Sequence, residues 1–256
     1  MLEKTKPRHF VYVIPSPLTA RDYQRHGMAL MVQRGIELTV LDVGDILFPE
    51  IPFTRNASET FDGISLRHCP NVASFKRELK NVSGADLIIC LAQSGIVTRN
   101  NLSILRAISK SPTSYLIWSG PVSPGWKQNT TVTRFGPRFE KLFSVLAKKD
   151  YVSSIVCRLP PRVLGVRPAD FVLYSEPGRE RRNALVGPNA IEIQAHHPDY
   201  DIYLAEKAKG YPVKNQAVFI DQNMPFHHDF LQSRTKNIDP ANYYADLERY
   251  FNEIEE

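Results

Sequence analysis

The sequence predicts an α/β fold built on a parallel sheet, and three observations carry that reading. Short β-branched and aromatic runs, among them HFVYVI at 9–14, IELTVLDV at 36–43 and the run at 114–119, alternate with stretches of helical periodicity. The runs are apolar on both faces, which is expected where helices cover both sides of a parallel sheet. The first two are joined by a single helical stretch, a βαβ unit, and such crossovers are right-handed in nearly every case. The predicted architecture is a Rossmann-like parallel sheet with helices on both faces.

The elements follow in order. The strand His9–Ile14 ends at Pro15-Ser16-Pro17, and Thr19 is a good N-cap with Asp22 three residues on. Tyr23, Gly27, Leu30 and Met31 share one face of the predicted helix, which Gly35 stops before the strand Ile36–Val43. Beyond a proline-containing loop come a helix around Ala73–Lys80, a strand Asp86–Ala92, a helix Asn100–Ser109 and a strand Ser114–Ser119. The loop GPVSPGWKQNTT precedes a helical stretch around Phe139–Lys148, and strands follow near Phe171–Tyr174 and Ala190–Gln194.

Residues 1–213 are read as one Rossmann-like domain and 214–256 as a linker, a strand Ala217–Asp221 and a helix Asn242–Glu255. Asp239 caps that helix and Pro240 is its first residue. Tyr243, Leu247, Tyr250 and Ile254 form a stripe that one strand and one helix cannot bury alone. The segment therefore either completes the preceding domain or opens a second α/β domain.

Composition removes several classes. With 43% hydrophobic and 23% charged residues among 256, the chain has enough apolar material for a core, which excludes disorder. Apolar runs such as Leu87–Ala92 are far shorter than the roughly twenty residues a membrane-crossing helix needs. The N-terminus carries no secretory h-region, so a cytoplasmic address is expected. Cys69, Cys90 and Cys157 are too widely spaced for a disulfide framework or a zinc site and read as buried small hydrophobes. The net charge of +5 is spread along the chain, without the basic and aromatic arrays of nucleic-acid binding, so no nucleic-acid partner is expected. A balance of this sign attracts phosphate or anionic lipid headgroups, which allows peripheral membrane contact.

In open α/β sheets ligands bind beyond the C-terminal ends of the strands. That rule selects Ser16 and Thr19 after the first strand, Gln93 and Ser94 after Ala92, Ser119, Glu176, and the pair His196-His197. The first loop holds Pro-Ser-Pro in place of Gly-x-Gly-x-x-Gly, which argues against a conventional NAD or FAD site. AHHPDYD at 195–201 is the densest polar cluster; His196 or Asp199 suits a general base for a sugar hydroxyl, and the plainer alternative makes Asp199 or Asp201 the cap of a helix near Ile202. Adjacent histidines point to opposite faces when extended, so no metal ligand is assigned. Trp126, in the Gly/Pro loop, is the better candidate for stacking on a sugar; Trp118, inside an apolar strand, reads as core. His227-His228-Asp229 is a second, weaker cluster.

The run SPLTARDYQRHGMALMVQRGIELTVLDV, with AHHPDYDIYL, AVFIDQNMPFHHDF and PANYYADLERYFNEIEE, resembles bacterial surface-carbohydrate (capsule and lipopolysaccharide) biosynthesis proteins at both ends of the chain. The resemblance implies a two-domain, twin-Rossmann glycosyltransferase, its N-terminal domain holding a glycan or lipid-linked glycan acceptor and its C-terminal domain a nucleotide-sugar donor. It implies that 214–256 opens the donor domain, that the donor site lies outside this chain, and that transferase activity is not expected from these residues alone. The leading reading is inverting-type sugar transfer. The alternatives are a non-catalytic nucleotide- or glycan-binding module and a metal-dependent hydrolase built on the two His-rich clusters.

Overall fold

β1 (His9–Ile14) is hydrogen-bonded along both of its edges, to β2 (Glu37–Asp42) and to β4 (Leu87–Cys90), so that Val11 stands opposite both Thr39 and Ile88. In this computed structural model, residues 8–55, 60–92, 97–119, 159–175, 185–196, 198–210, 225 and 238–255 are described, with backbone only at 198, 199, 254 and 255. β3 (Ile64–His68), β5 (Ser114–Ser119), β6 (Ala169–Tyr174) and β7 (Val186–Gln194) complete a sheet of order β3-β2-β1-β4-β5-β6-β7. Every pairing in it is parallel. The chain runs outward from β1 in one direction and, after crossing back, outward from β4 in the other, which is the Rossmann arrangement with its switch point between β1 and β4.

Alternation along β1 divides the core in two. Val11 and Val13 join a cluster with Phe75 and Leu79 of α4 (Val72–Asn81) and Ile104, Leu105 and Ile108 of α5 (Arg99–Lys110). Tyr12 and Ile14 point the other way, into a cluster with Leu38, Val40 and Met28. Helices therefore cover both faces, as expected. Both of these helices start from capping boxes: Asn71 and Ser74 exchange bonds at the head of α4, Thr98 and Asn101 at the head of α5. Capping of this kind contributes about 1 kcal/mol per helix.

The helix predicted from Thr19 to Gly35 is two. α1 (Ala20–Arg25) begins as expected, Thr19 Oγ1 accepting the Asp22 N–H at 3.1 Å. It ends where the Gly27 N–H bonds the Gln24 carbonyl at 3.0 Å, and Gly27, at φ 67°, becomes the N-cap of α2 (Met28–Gln33). Periodicity placed Gly27 on the packed face; its left-handed backbone instead turns the chain so that Met28 drops into the core. α3 (Gly44–Leu47) and β3 were not foreseen. β3 is an edge strand whose last three residues are exposed, so it lacks the two-sided apolar pattern of its neighbours.

The far side of the sheet is tied by Arg167. Its guanidinium lies 4.7 Å from the centroid of the Tyr115 ring and donates to Asp170 and to the Thr113 carbonyl, both at 2.6 Å. The Tyr115 hydroxyl donates to the Arg167 carbonyl, and Asp170 accepts the Tyr115 N–H at 2.9 Å. β7 breaks register with β6 between Ala169 and Phe171, a slip that seats Gly187-Pro188 on an edge strand, where a missing N–H is tolerated. α6 (Pro198–Ala208) follows β7, starting before the predicted Ile202.

The chain divides into two compact units, Met1–Ala208 and Lys209–Glu256. In the second, α7 (Pro240–Glu255) starts as predicted, with the Ala241 N–H bonded to Asp239 Oδ1 at 3.1 Å. The predicted strand 217–221 and helical stretch 139–148 lie outside the described residues.

Gly63 sits at φ 74°, and a Cβ there would come within 2.4 Å of Val32 Cγ1. Gly63→Ala should cost roughly 2–4 kcal/mol, the left-handed penalty plus overpacking. Gly27→Ala, with open space around it, should cost only the first, about 1–2 kcal/mol. Urea denaturation of the two variants checks this; equal losses would mean the contact with Val32 carries no strain.

Candidate functional site

Asp42, the last residue of β2, has its carboxylate almost fully buried. A charge in that position needs partners, and the residues after the strand supply them. Oδ1 accepts the Gly44 N–H at 2.9 Å, and Oδ2 accepts Arg55 Nε at 2.9 Å. Arg55 Nη2 donates to Asp45 Oδ1 at 2.7 Å, and the other oxygen of Asp45 lies 2.9 Å from His68 Nε2 at the end of β3. The guanidinium also sits 5.8 Å from the centroid of the Phe53 ring. Burial pushes the Asp45 carboxyl up, but hydrogen bonds and charge from Arg55 and His68 outweigh it and hold the group below its ordinary value.

Asp42, Arg55 and His68 of this chain line a crevice of about 150 Å³ at the C-terminal ends of β1, β2 and β3. Leu18 and Thr19 bound it from the loop after β1, Thr54 and Arg55 from the loop after α3, and Phe61, Leu66 and His68 from around β3. Tyr23 stacks at a tilt against Phe61, ring centroids 5.3 Å apart, and fixes the aromatic wall. The result is an apolar floor beside a rigid array of donors and acceptors, the composition of a small polar-ligand site.

A Rossmann sheet commonly holds a dinucleotide at this edge, with its pyrophosphate on the first helix and its ribose on the acid ending β2. The residues here do not fit that mode. Thr19 Oγ1 takes the Asp22 N–H and donates to Asp22 Oδ2 at 2.8 Å, so a carboxylate stands in the first turn of α1 where a diphosphate would rest. Both oxygens of Asp42 are already engaged. A pyrophosphate would meet negative charge, and the ribose hydroxyls would compete with Gly44 and Arg55 for the buried Asp42 carboxylate.

Of the residues selected from the sequence, Thr19 lines the crevice, while Ser16 is half-buried in the same loop outside it. Ser119 is half-buried at the end of β5, opposite Tyr174. Trp118, expected in the core, is only partly buried and meets the His26 ring edge-on, centroids 5.6 Å apart; burial holds His26 below its ordinary pKa. Its place near the end of β5 leaves one face at the rim of the sheet. Gln93, Ser94, Trp126, Glu176, His197 and the 227–229 cluster lie outside the described residues.

His196 is exposed just beyond β7, and its Nε2 lies 2.9 Å from Asp201 Oδ1, with the Tyr200 ring edge-on at 5.4 Å. Asp201 is thus the imidazole's partner and not a cap, because α6 already begins at Pro198. Asp199 falls in its first turn. β7 lies five strand positions from β2, roughly 24 Å at about 4.8 Å per strand. His196 and the Arg55 crevice share one edge of the sheet but not one pocket. Among the described residues no three His, Cys, Asp or Glu side chains converge as metal ligands. Cys69 and Cys90 are buried, which pushes their thiols up to about 11 and about 12 and removes them as nucleophiles.

No protein-family profile matches the chain, and no curated protein sequence does. Among solved structures it is similar to the PbgP3 protein from Burkholderia pseudomallei, with 11% identity and a TM-score of 0.33, over 81% of this chain and 63% of that one. It is also similar to a short-chain dehydrogenase from Burkholderia cenocepacia in complex with NADP, with 11% identity and a TM-score of 0.31, over 79% of this chain and 95% of that one. The chain thus spans less than two thirds of the length of PbgP3. Scores this low carry neither protein's activity to this chain; the fold rests on the strand order itself.

Two outcomes test the corner. Arg55→Met strips the buried Asp42 oxygen of its cation and should cost about 1–3 kcal/mol in urea denaturation; no loss would mean the guanidinium is idle. Asp45 is more acidic folded than unfolded, so it stabilises above about pH 4 and that contribution fades as pH falls through its folded value. Asp45→Asn should lower Tm near about pH 7 and leave it unchanged near about pH 2. An equal drop at both would assign the effect to packing.

Proposed function

We propose that the Rossmann unit is the acceptor-binding lobe of a glycosyltransferase-like protein, which transfers a sugar from a nucleotide-sugar donor to a glycan or lipid-linked glycan. The observation that carries this reading is the crevice itself. Its acidic corner is poorly suited to a dinucleotide, yet it sets Arg55, His68 and Thr19 beside the Phe61 wall, with Asp45 bonded to the first two. A sugar presents to such a site an apolar ring face for the aromatic group and hydroxyls that both donate and accept. The chain's resemblance to surface-carbohydrate biosynthesis proteins points the same way.

The base in this reading is His196. In the neutral imidazole Nε2–H donates to Asp201, which leaves Nδ1 as the proton acceptor and fixes the ring's orientation. Asp201 is the group that orients the ring. Nδ1 takes the proton of an acceptor hydroxyl as its oxygen bonds to the anomeric carbon. The bond from that carbon to the nucleoside diphosphate breaks, and the leaving group departs with the electron pair. Because crevice and base stand roughly 24 Å apart, an acceptor that reaches both is an oligosaccharide and not a single sugar.

A second reading, a glycan-binding module without chemistry, is favoured by the exposure of the pair: His196 is 54% and Asp201 72% exposed. The two separate in one set of measurements. Short glycans should raise the Tm of the intact protein, and Phe61→Ala should abolish that rise. His196→Ala should keep it while lowering transfer by about 10²–10⁴-fold. Stabilisation by nucleotides but not by glycans would sink the acceptor-lobe reading; glycan binding with no transfer even when the donor lobe is present would leave the binding module.

A further inference from the structure

The opposite edge of the sheet, where the strands begin, carries a second cavity that the crevice chemistry does not use. It is a groove of about 250 Å³ between the C-terminal halves of α4 and α5. Leu79, Ala107 and Pro112 form its apolar floor, Lys76, Lys80 and Lys110 are exposed around it, and among the described residues no Asp or Glu lines it. Lys76 and Lys80 are four apart on α4, where like charges repel and weaken the helix. Lys80 and Lys110 each lie in a last turn, so the helix dipole accounts for them. It does not account for Lys76, a full turn earlier.

The turn leading to β6 extends the same surface. Arg106 Nε donates to the Leu164 carbonyl at 2.5 Å, and the Arg167 N–H bonds Ser109 Oγ at 3.0 Å, which pins residues 164–167 against α5. Beside that anchor Val163 is 69% exposed, Leu159 is 41% exposed, and Arg162 is exposed as well. Exposed cations and aliphatic side chains thus stand on α4, on α5 and on the turn pinned against α5, and among the described residues no acid lines the groove.

We propose that this end docks on an anionic lipid surface. Charge complementarity selects an anion, and the pattern selects its form. A soluble phosphate would satisfy the lysines but leave Val163 and Leu159 in water, whereas a bilayer offers negative headgroups at its surface and an apolar layer beneath them. The cations are also spread over two helices and a turn, as suits a plane of charge, and not gathered into a cradle around one anion. Docking in this orientation leaves the C-terminal strand ends, with the crevice and His196, on the side away from the lipid. The inference does not rest on the sugar-transfer reading.

Co-sedimentation of the intact protein with phosphatidylcholine vesicles, with and without phosphatidylglycerol, tests it. Binding should need phosphatidylglycerol and fall with added salt. Lys76→Ala/Lys80→Ala/Lys110→Ala should weaken it by on the order of a hundredfold. The corresponding triple arginine variant should retain it, and Arg55→Met, at the other edge, should not alter it. Val163→Ser should weaken it further without changing its salt dependence. Equal binding to neutral vesicles, or full binding by a triple alanine variant with an unchanged circular dichroism spectrum, would overturn the proposal. So would a failure to bind any vesicle, and a rise in Tm with inorganic phosphate in that case would assign the lysines to a soluble anion.

Discussion

The burial of β1 on both faces and both edges is the constraint on which the rest of the structure depends. A strand so placed cannot leave a backbone group to water, so β2 and β4 must take its hydrogen bonds from either side. Nor can it leave a face uncovered, so Val11 and Val13 require α4 and α5 while Tyr12 and Ile14 require α1 and α2. Because β4 must pair with β1 and not with β3, the chain crosses back over the sheet after β3. That crossing creates the switch point, and with it an edge at which loops diverge and a ligand can enter.

Asp42 shows how that edge is specialised. Ending a buried strand with a carboxylate places charge where water is scarce, and the cost is offset only because Gly44 and Arg55 meet it. Arg55 then brings in Asp45, and Asp45 brings in His68, so one buried charge organises a loop and a strand end around it. The same engagement withdraws Asp42 from the ribose of a dinucleotide. Local pairing of this kind can change what a common fold binds without any change in strand order.

Much of the fold was legible because its signals are local. β5 matches the predicted strand residue for residue, and α5 and α7 begin within two residues of expectation, since Pro240 and the apolar periodicity act through neighbouring residues. Thr19 was legible as a cap for the same reason. The break at Gly27 was not, because a periodic pattern cannot reveal a left-handed backbone that serves packing. β3 escaped because an edge strand has little two-sided burial to imprint on its residues. In the site, Asp42 carried a signal, an acid closing the second strand of a βαβ unit, while Arg55 in the loop after α3 and His68 at the end of β3 meet on Asp45 only when β3 pairs with β2.

The amino-acid sequence by itself determined the class of this protein: parallel strands, helices on both faces, and a first loop without the glycine cradle of a dinucleotide site. Those properties follow from residue type, spacing and caps, which act over a few positions along the chain. Only the tertiary structure decided that Asp201 holds His196, that Arg55 closes the Asp42 corner, and that lysines of two helices share one apolar groove. Each of these depends on residues from different segments meeting in space, and strand order and side-chain direction set which of them meet.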